Sequence, residues 1–336
     1  MDEQLKLWER RWSEQIAKQA VWLSGIVTYS QVEEIMQKVG QVDISRSSVW
    51  RRVERWGEKF QEMEALQQVK AYELEEPTPD PNHSLGRMGV GMDGTMVHIR
   101  EEGWKELKVG CVFDVTQRLH YDQHTQEEIE LGSASNNSYV AHLGGPERLG
   151  RQVWAEARQR FWMHAEDSLA IGDGALWIWN LVDEHFHDSH QLVDWYHASE
   201  HLAEAARISY GEATPAARRW YRRWETKLYQ GHVDKLIAAL KRQATNQPKK
   251  TEDIHKQVSY FHNNRKRMNY LEMRSEGYPI GSGMVESAAK QYKARFCGSG
   301  MRWSRKGAER LLPIRSAILS SRFDKMWTRV YNSPPN

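Results

Sequence analysis

The sequence predicts an α/β fold: a mixed sheet flanked by helices, with a helical insertion and an N-terminal helical region that resembles a helix-turn-helix. Two patterns predict the sheet. Residues 88–124 alternate apolar and polar side chains as half-buried strands do, and residues 139–208 alternate helical and strand segments. Residues 199–275 predict the insertion because they are basic, rich in aromatics and helical in pattern.

The N-terminal 72 residues predict three helices. Residues 1–23 form an amphipathic helix, and a second helix starts from a Ser30 cap and ends at Gly40. Ser47–Phe60 forms a third, which presents one basic face to solvent. A short turn before a basic helix is typical of DNA-binding hairpins, and a plain packing hairpin is the alternative. The basic residues of this face that we expect to contact DNA are Arg51, Arg52 and Arg55.

Residues 73–86 contain three prolines and few apolar side chains, so we expect a linker there. Residues 87–327 then form the catalytic region, interrupted at about 199–275 by the helical insertion, and residues 328–336 form a tail.

Within the catalytic region, Met88–Met92 predicts a strand that runs into Asp93, and Trp104–Val115 predicts its antiparallel partner. Residues 117–124 predict a third strand, 131–138 a polar loop, and 139–162 one or two helices. Two buried strands follow, ending at Asp173 and Asp194. If the first and fourth strands are neighbours, their carboxyl ends bring Asp93 and Asp173 together.

Asp93, Asp173 and Glu286 therefore predict a metal site. Three converging carboxylates do not all stay ionised without a cation, and their hard oxygens favour Mg²⁺ or Mn²⁺. Each residue also has a structural alternative. Asp93 precedes a glycine as in a hairpin turn, Asp173 suits a helix N-cap, and Glu286 suits the first turn of a helix.

Asp194 and His197 lie at the end of the neighbouring strand. Asp194 is either a fourth metal ligand or a helix cap. His197 either orients Asp194, contacts a phosphate, or is a satisfied histidine of the core.

Composition restricts the class of protein. The chain has two cysteines, which excludes a disulfide framework or a cysteine-rich zinc site and suits a reducing cytosol. No apolar run reaches the length of a membrane span, and no apolar signal segment opens the chain, so we expect a cytoplasmic protein.

The net charge of +2 hides an uneven distribution. Residues 286–330 contain eleven Lys and Arg against three Asp and Glu, and residues 215–274 contain fifteen against five. Basic segments in an otherwise acidic chain indicate a polyanion such as DNA, and solvated helix faces are the alternative.

The chain resembles the DDE-type transposases of bacterial insertion sequences, which have an RNase H-like catalytic core. The resemblance covers residues 86–327. The motifs that carry it are Gly91-Met92-Asp93-Gly94-Thr95, Ile171-Gly172-Asp173-Gly174-Ala175, Asp194-Trp195-Tyr196-His197, Gly281-Ser282-Gly283-Met284-Val285-Glu286 and Gly300-Met301-Arg302-Trp303-Ser304.

This resemblance implies a Mg²⁺-dependent enzyme, with Mn²⁺ as a substitute, in which Asp93, Asp173 and Glu286 bind two metal ions. It implies cleavage at transposon ends and joining to target DNA. By analogy we also expect a homodimer that associates with the nucleoid. The residues expected to contact phosphates are Lys290, Lys293, Arg295, Arg302, Arg305 and Lys306.

Two other functions stay open at this stage. A stand-alone nuclease of the same fold would use the same carboxylates, but it has no need of a basic insertion or a DNA-binding hairpin. A catalytically inactive, transposase-derived DNA-binding protein would bind DNA without metal-dependent cleavage, and it has no need of three like charges held together.

Overall fold

A computed structural model describes residues 12–73, 86–122, 126–299 and 301–332. The first eleven residues of the predicted N-terminal helix and most of the predicted linker lie outside these ranges. Among the described residues, no helix is both long and apolar enough to cross a membrane.

Three helices open the described chain: α1 (Glu14–Ser24), α2 (Tyr29–Lys38) and α3 (Arg46–Tyr72). The predicted Ser30 cap is wrong, because Thr28 caps α2 through a capping box with Gln31. The third helix is also longer than expected: it begins after a Ser45 cap and continues for 27 residues to Tyr72.

The apolar face of α3 belongs to the main hydrophobic core, which also contains the strands. The Trp56 ring lies 4.7 Å from the ring of Trp327 and 5.4 Å from that of Tyr331, measured between centroids. Gly57 permits close contact with a C-terminal helix, since a Cβ there would lie 2.4 Å from the carbonyl oxygen of Arg310. Helices α1 and α3 therefore share a core with the predicted catalytic region, whereas the buried residues of α2 belong to a smaller, separate cluster.

Five strands form one mixed sheet in the order β3-β2-β1-β4-β5. Strand β2 is antiparallel to both β1 and β3, whereas β4 and β5 run parallel to β1. The prediction that the first and fourth strands are neighbours is confirmed. The strands are β1 (Met88–Ile99), β2 (Gly103–Asp122), β3 (Glu127–Leu143), β4 (Ser168–Gly172) and β5 (His190–Val193).

Three local predictions in this region are wrong. Residues 117–122 continue β2, and the predicted loop at 131–138 lies in β3, as do the first residues of the predicted helix at 139–162. The Ser- and Asn-rich segment is a strand because β3 pairs with β2 along almost all of its length. Pairing with β2 supplies backbone hydrogen bonds that the local sequence propensity does not predict.

Helices cover both faces of the sheet. Helix α4 (Pro146–Gln159) packs on one face, where a Cβ on Gly110 would lie 2.3 Å from Val153 Cγ2. On the other packs α11 (Gly283–Phe296), which contacts β1 through Val285. The remaining helices around the sheet are α5 (Leu176–His185), α6 (Trp195–Tyr210), α12 (Arg305–Leu319) and α13 (Phe323–Tyr331).

Residues 199–275, all of them described, are helical as predicted. They comprise most of α6 followed by α7 (Pro215–Tyr229), α8 (Val233–Asn246), α9 (Thr251–Asn264) and α10 (Tyr270–Ser275). This segment stands between the last strand and α11, so the chain passes through it before it reaches Glu286.

Candidate active site

Strand register places Asp93 and Asp173 beside each other. In the parallel pair of β1 and β4, Gly91 is opposite Ile171. Asp93 lies two residues further along β1, and Asp173 lies two residues beyond Ile171, directly after β4 ends at Gly172. Side chains two residues apart in a strand project from the same face. Asp93 does not end its strand as predicted: β1 continues past it to Ile99, paired with β2 and bridged at Ile99 to Trp303.

Helix α11 lies across the same face and brings Glu286 towards the aspartates. The Val285 side chain packs so closely on β1 that a Cβ on Gly91 would lie 3.3 Å from Val285 Cγ1. Glu286 follows directly in the first turn of α11, and its Oε1 accepts a hydrogen bond from Ser282 Oγ at 3.2 Å. A Cβ at Gly91 would require the Val285 side chain to move by a few tenths of an ångström.

The charges around Asp93 show how close the carboxylates are. Burial raises the pKa of Asp93 to about 6; the Gly94 amide, which donates to Asp93 Oδ1 at 2.7 Å, opposes that rise. The negative charges of Asp173 and Glu286 raise this pKa further, and His197 lowers it. Burial is the largest of these effects, and the two neighbouring carboxylates add to it.

Asp173 is held in a tight turn after β4. Its Oδ1 accepts a hydrogen bond from the Ala175 amide at 2.8 Å, and Gly174 has a φ of 100° that favours glycine. Asp173 is not the N-cap of a helix, because Ala175 occupies the N-cap position of α5.

The helical insertion contacts the Asp173 turn through a side chain of α9. The Tyr260 hydroxyl of α9 donates a hydrogen bond to the main-chain carbonyl of Asp173 at 3.1 Å. The His201 ring of α6 stacks on Tyr260 with 3.5 Å between centroids, and His201 Nδ1 lies 2.8 Å from Gln257 Oε1. Sequence reasoning missed Tyr260 because nothing in its local pattern separates it from the other aromatics of the insertion.

Asp194 is fully buried and joins two elements of the site. Its Oδ1 accepts a hydrogen bond from the His197 amide at 2.8 Å, as the N-cap of α6. Its Oδ2 accepts from the amide of Ser282, which precedes α11. Asp194 is therefore a helix cap in this structure, and its carboxylate also holds the segment that leads to Glu286.

His197 faces Glu286 and is not a histidine of the core. Its Nε2 lies 3.9 Å from Glu286 Oε1, and its Nδ1 lies 3.6 Å from Glu200 Oε2. About a third of its side chain is exposed, which contradicts the interpretation of a satisfied core histidine.

Asp194, His197 and Glu286 each offer a ligand atom, and these atoms lie within 4.8 Å of one another. In the described part of the chain this is the one trio of His, Cys, Asp or Glu that meets this limit. Asp93 and Asp173 are not part of this trio. The carboxylates predicted as metal ligands therefore do not all meet this limit.

The basic residues expected to contact DNA divide into exposed and engaged groups. Lys290, Lys293 and Arg302 are exposed, and Lys290 Nζ lies 3.7 Å from Glu286 Oε2. Lys306 is exposed near Glu58, whereas Arg305 donates to both carboxylate oxygens of Glu102.

Arg295 is a correction to the predicted phosphate contacts. It is only 2% exposed, and its Nε donates to the Ser24 carbonyl at 2.8 Å. Its guanidinium lies over the rings of Tyr29 and Trp303, and burial lowers its pKa to about 10. In this structure Arg295 links α11 to the N-terminal helices and does not face solvent.

On α3, Arg51 and Arg55 are exposed, and Arg51 Nη2 donates to Ser48 Oγ at 3.1 Å. Arg52 is half-buried and its guanidinium lies 4.4 Å from the centroid of the Trp12 ring. Arg52 thus takes part in packing, whereas Arg51 and Arg55 remain at the surface.

No family model matches this chain, and neither does any curated protein.

Proposed function

We propose that this protein is a metal-dependent DNA transposase of the DDE type with an RNase H-like catalytic core. One observation carries the proposal. Asp93 and Asp173 lie beside each other on two neighbouring parallel strands, and α11 brings Glu286 towards them. The charges of Asp173 and Glu286, both far from Asp93 in sequence, therefore act on Asp93.

The order of elements supports the RNase H-like core. Three antiparallel strands are followed by two strands parallel to the first, with helices on both faces. The helical insertion before the last carboxylate fits the transposase better than a general nuclease, since a nuclease does not need 77 additional residues between β5 and α11 that also support the Asp173 turn.

The donor set fits Mg²⁺ or Mn²⁺. Asp93, Asp173 and Glu286 would supply hard oxygen ligands, and a bound cation would oppose the rise in the pKa of Asp93, which comes first from burial and further from the neighbouring carboxylates. Two-metal sites of this chemistry hold their ions about 4 Å apart and stabilise both the attacking and the leaving oxygen. Bound there, Mg²⁺ would activate the attacking oxygen and offset the charge that develops at the phosphorus centre.

The protein's own groups then hold this arrangement. Asp194 fixes the start of α11, and His197 and Ser282 orient the Glu286 carboxylate. In the first reaction, water attacks the scissile phosphorus and the P–O3′ bond breaks, which leaves a 3′-hydroxyl and a 5′-phosphate. In the second, that 3′-hydroxyl attacks target DNA, so one phosphodiester bond forms as another breaks.

The test is an assay of cleavage and joining on a duplex that carries the terminal repeats flanking the gene, with Mg²⁺ or Mn²⁺. The variant is Asp173→Asn, and Asp188→Asn is the control because its carboxylate is 92% exposed in a surface turn. We expect joined products with wild type and control, and a loss of at least about 1,000-fold in the variant.

Cleavage without joining would favour the stand-alone nuclease over the transposase. DNA binding without either reaction, or full activity in Asp173→Asn, would contradict the proposal.

A further inference from the structure

The C-terminal half of α3 presents an apolar stripe to solvent. Leu66, Val69 and Tyr72 are 63%, 57% and 50% exposed, although all three are large apolar side chains. Their spacing of three residues keeps them on neighbouring parts of one side of the helix. The other side of the same helix is already buried in the protein, through residues such as Phe60 and Ala71. Contiguous exposed apolar side chains of this kind indicate an interaction surface.

Charged residues follow the stripe in a regular order. They lie four or seven residues from Leu66, and these offsets return to nearly the same face of a helix. The four charged residues are Lys59, Glu62, Lys70 and Glu73. Three of them are exposed, and Lys59 is half-buried. In the described chain Glu54 and Glu58 of this helix pair with Arg310, whereas none of the four has an ion-pair partner. Their charges are therefore available to a second molecule.

The apolar side chains of this stripe are complementary to the same stripe read in reverse. If a second copy of α3 lies antiparallel to the first with Leu66 on a two-fold axis, each residue before Leu66 faces the residue equally far after it in the partner. Leu66 then packs on its own copy at the centre. Met63, which is only partly buried, faces the partner's Val69. The centre of such a contact is therefore apolar throughout.

The charges select this arrangement over two others. About the same axis, Glu62 faces the partner's Lys70 and Lys59 faces the partner's Glu73, so both charged pairs attract. In a parallel pair each residue would face its own copy, which would bring like charges together. An antiparallel pair centred about half a turn further along α3 would place Glu62 against the partner's Glu73. One orientation and one register therefore satisfy every charge of the stripe.

We propose that the stripe on α3 is a dimer interface, and that its occupant is the antiparallel α3 of a second copy of this chain, with Leu66 on the two-fold axis. A contact between identical surfaces closes after two copies and does not propagate. It extends over about four turns of α3, from Lys59 to Glu73, and buries less than the roughly 800 Å² per partner of a stable interface. We therefore expect a dimer that dissociates in the micromolar range. The inference does not depend on the carboxylate site.

Sedimentation velocity on the full-length protein, over a series of concentrations, measures the dissociation constant of the dimer. Leu66→Gln removes the apolar contact at the axis from an exposed position that folding does not require. Val39→Gln is the matched control, because Val39 is 79% exposed at the end of α2. Glu62→Lys makes one charged pair repulsive, and the combination of Glu62→Lys with Lys70→Glu restores the pair with its signs exchanged.

Cysteine substitution tests the position of the axis. A residue on the axis meets its own copy, so Leu66→Cys should form a disulfide between two chains under mild oxidation. Glu62→Cys should not, because antiparallel helices place this residue about 12 Å from its copy, beyond the limit of about 7 Å between Cα atoms. Both variants contain the native cysteines, of which Cys111 is buried, so any background from these is the same in each.

We expect Leu66→Gln and Glu62→Lys each to weaken dimerisation about tenfold or more, the double charge reversal to recover most of the wild-type affinity, and Val39→Gln to leave it unchanged. A monomer at every concentration would overturn the proposal and leave the stripe to a different partner. A dimer that Leu66→Gln does not weaken, or a charge reversal that Lys70→Glu does not rescue, would also overturn it. So would a disulfide in Glu62→Cys with none in Leu66→Cys.

Discussion

The hydroxyl of Tyr260 donates to the carbonyl of Asp173 across 3.1 Å, although 87 residues separate the two in sequence. This contact ties the helical insertion to the turn that holds a predicted metal ligand. We therefore expect the insertion to position the active site in addition to any role in binding DNA.

Tyr260→Phe tests this contact because it removes the hydroxyl and keeps the ring that stacks on His201. Loss of one hydrogen bond costs about 1 kcal/mol, so we expect a fall in cleavage rate of about 3- to 10-fold at saturating metal. Tyr221→Phe, which removes a hydroxyl that bonds Glu225, is the control. An unchanged rate in Tyr260→Phe, or an equal fall in Tyr221→Phe, would contradict a positioning role.

The pKa of Asp93 predicts how stability depends on pH. The folded-state pKa is raised from 3.8 to about 6, so the folded protein binds more protons than the unfolded chain between these values. Stability without metal therefore falls as pH rises through this window and stays reduced above it. Asp93→Asn should raise the free energy of unfolding at pH 8 by up to about 3 kcal/mol, and at pH 3.5 should change it little.

Asp93→Asn also tests whether the metal ion binds at this site. Adding Mn²⁺ at pH 8 should stabilise wild type in thermal melts, because a cation that binds only the folded state shifts the equilibrium towards it. Asp93→Asn should lose most of that shift. Equal stabilisation of both proteins by Mn²⁺ would place the metal elsewhere.

The sheet and its site could be predicted from sequence to different degrees. The local alternation of strand and helix predicted the mixed sheet, and the order of the elements predicted that β1 and β4 are neighbours. The strand at 131–138 was missed because its backbone hydrogen bonds come from pairing with β2, which the local sequence does not show. Arg295 was assigned to DNA because a sequence of basic residues does not show which one packs between aromatic rings.

The contact between α3 and α12 makes a prediction about stability. A Cβ on Gly57 would meet the backbone of Arg310 at 2.4 Å, and backbone cannot move aside as a side chain does. We expect Gly57→Ala to lower the free energy of unfolding by about 1–3 kcal/mol, measured by urea denaturation. Gly86→Ala is the control, since a Cβ there would have nothing within 4 Å. A stability equal to wild type would mean that α3 is not docked on α12 as described.

The last prediction separates the basic residues of α11. Lys293 is exposed, so Lys293→Gln should weaken DNA binding uniformly across sequences and reduce the slope of log affinity against log salt by about 1. Arg295 is buried, so Arg295→Gln should leave that slope unchanged. It should instead lower the free energy of unfolding by about 3 kcal/mol, because Tyr29, Trp303 and the Ser24 carbonyl lose their partner. Fluorescence titrations at several salt concentrations, paired with thermal melts, distinguish the two effects. If Arg295→Gln reduced the salt slope as Lys293→Gln does while stability held, the guanidinium would have to leave its buried position to reach DNA.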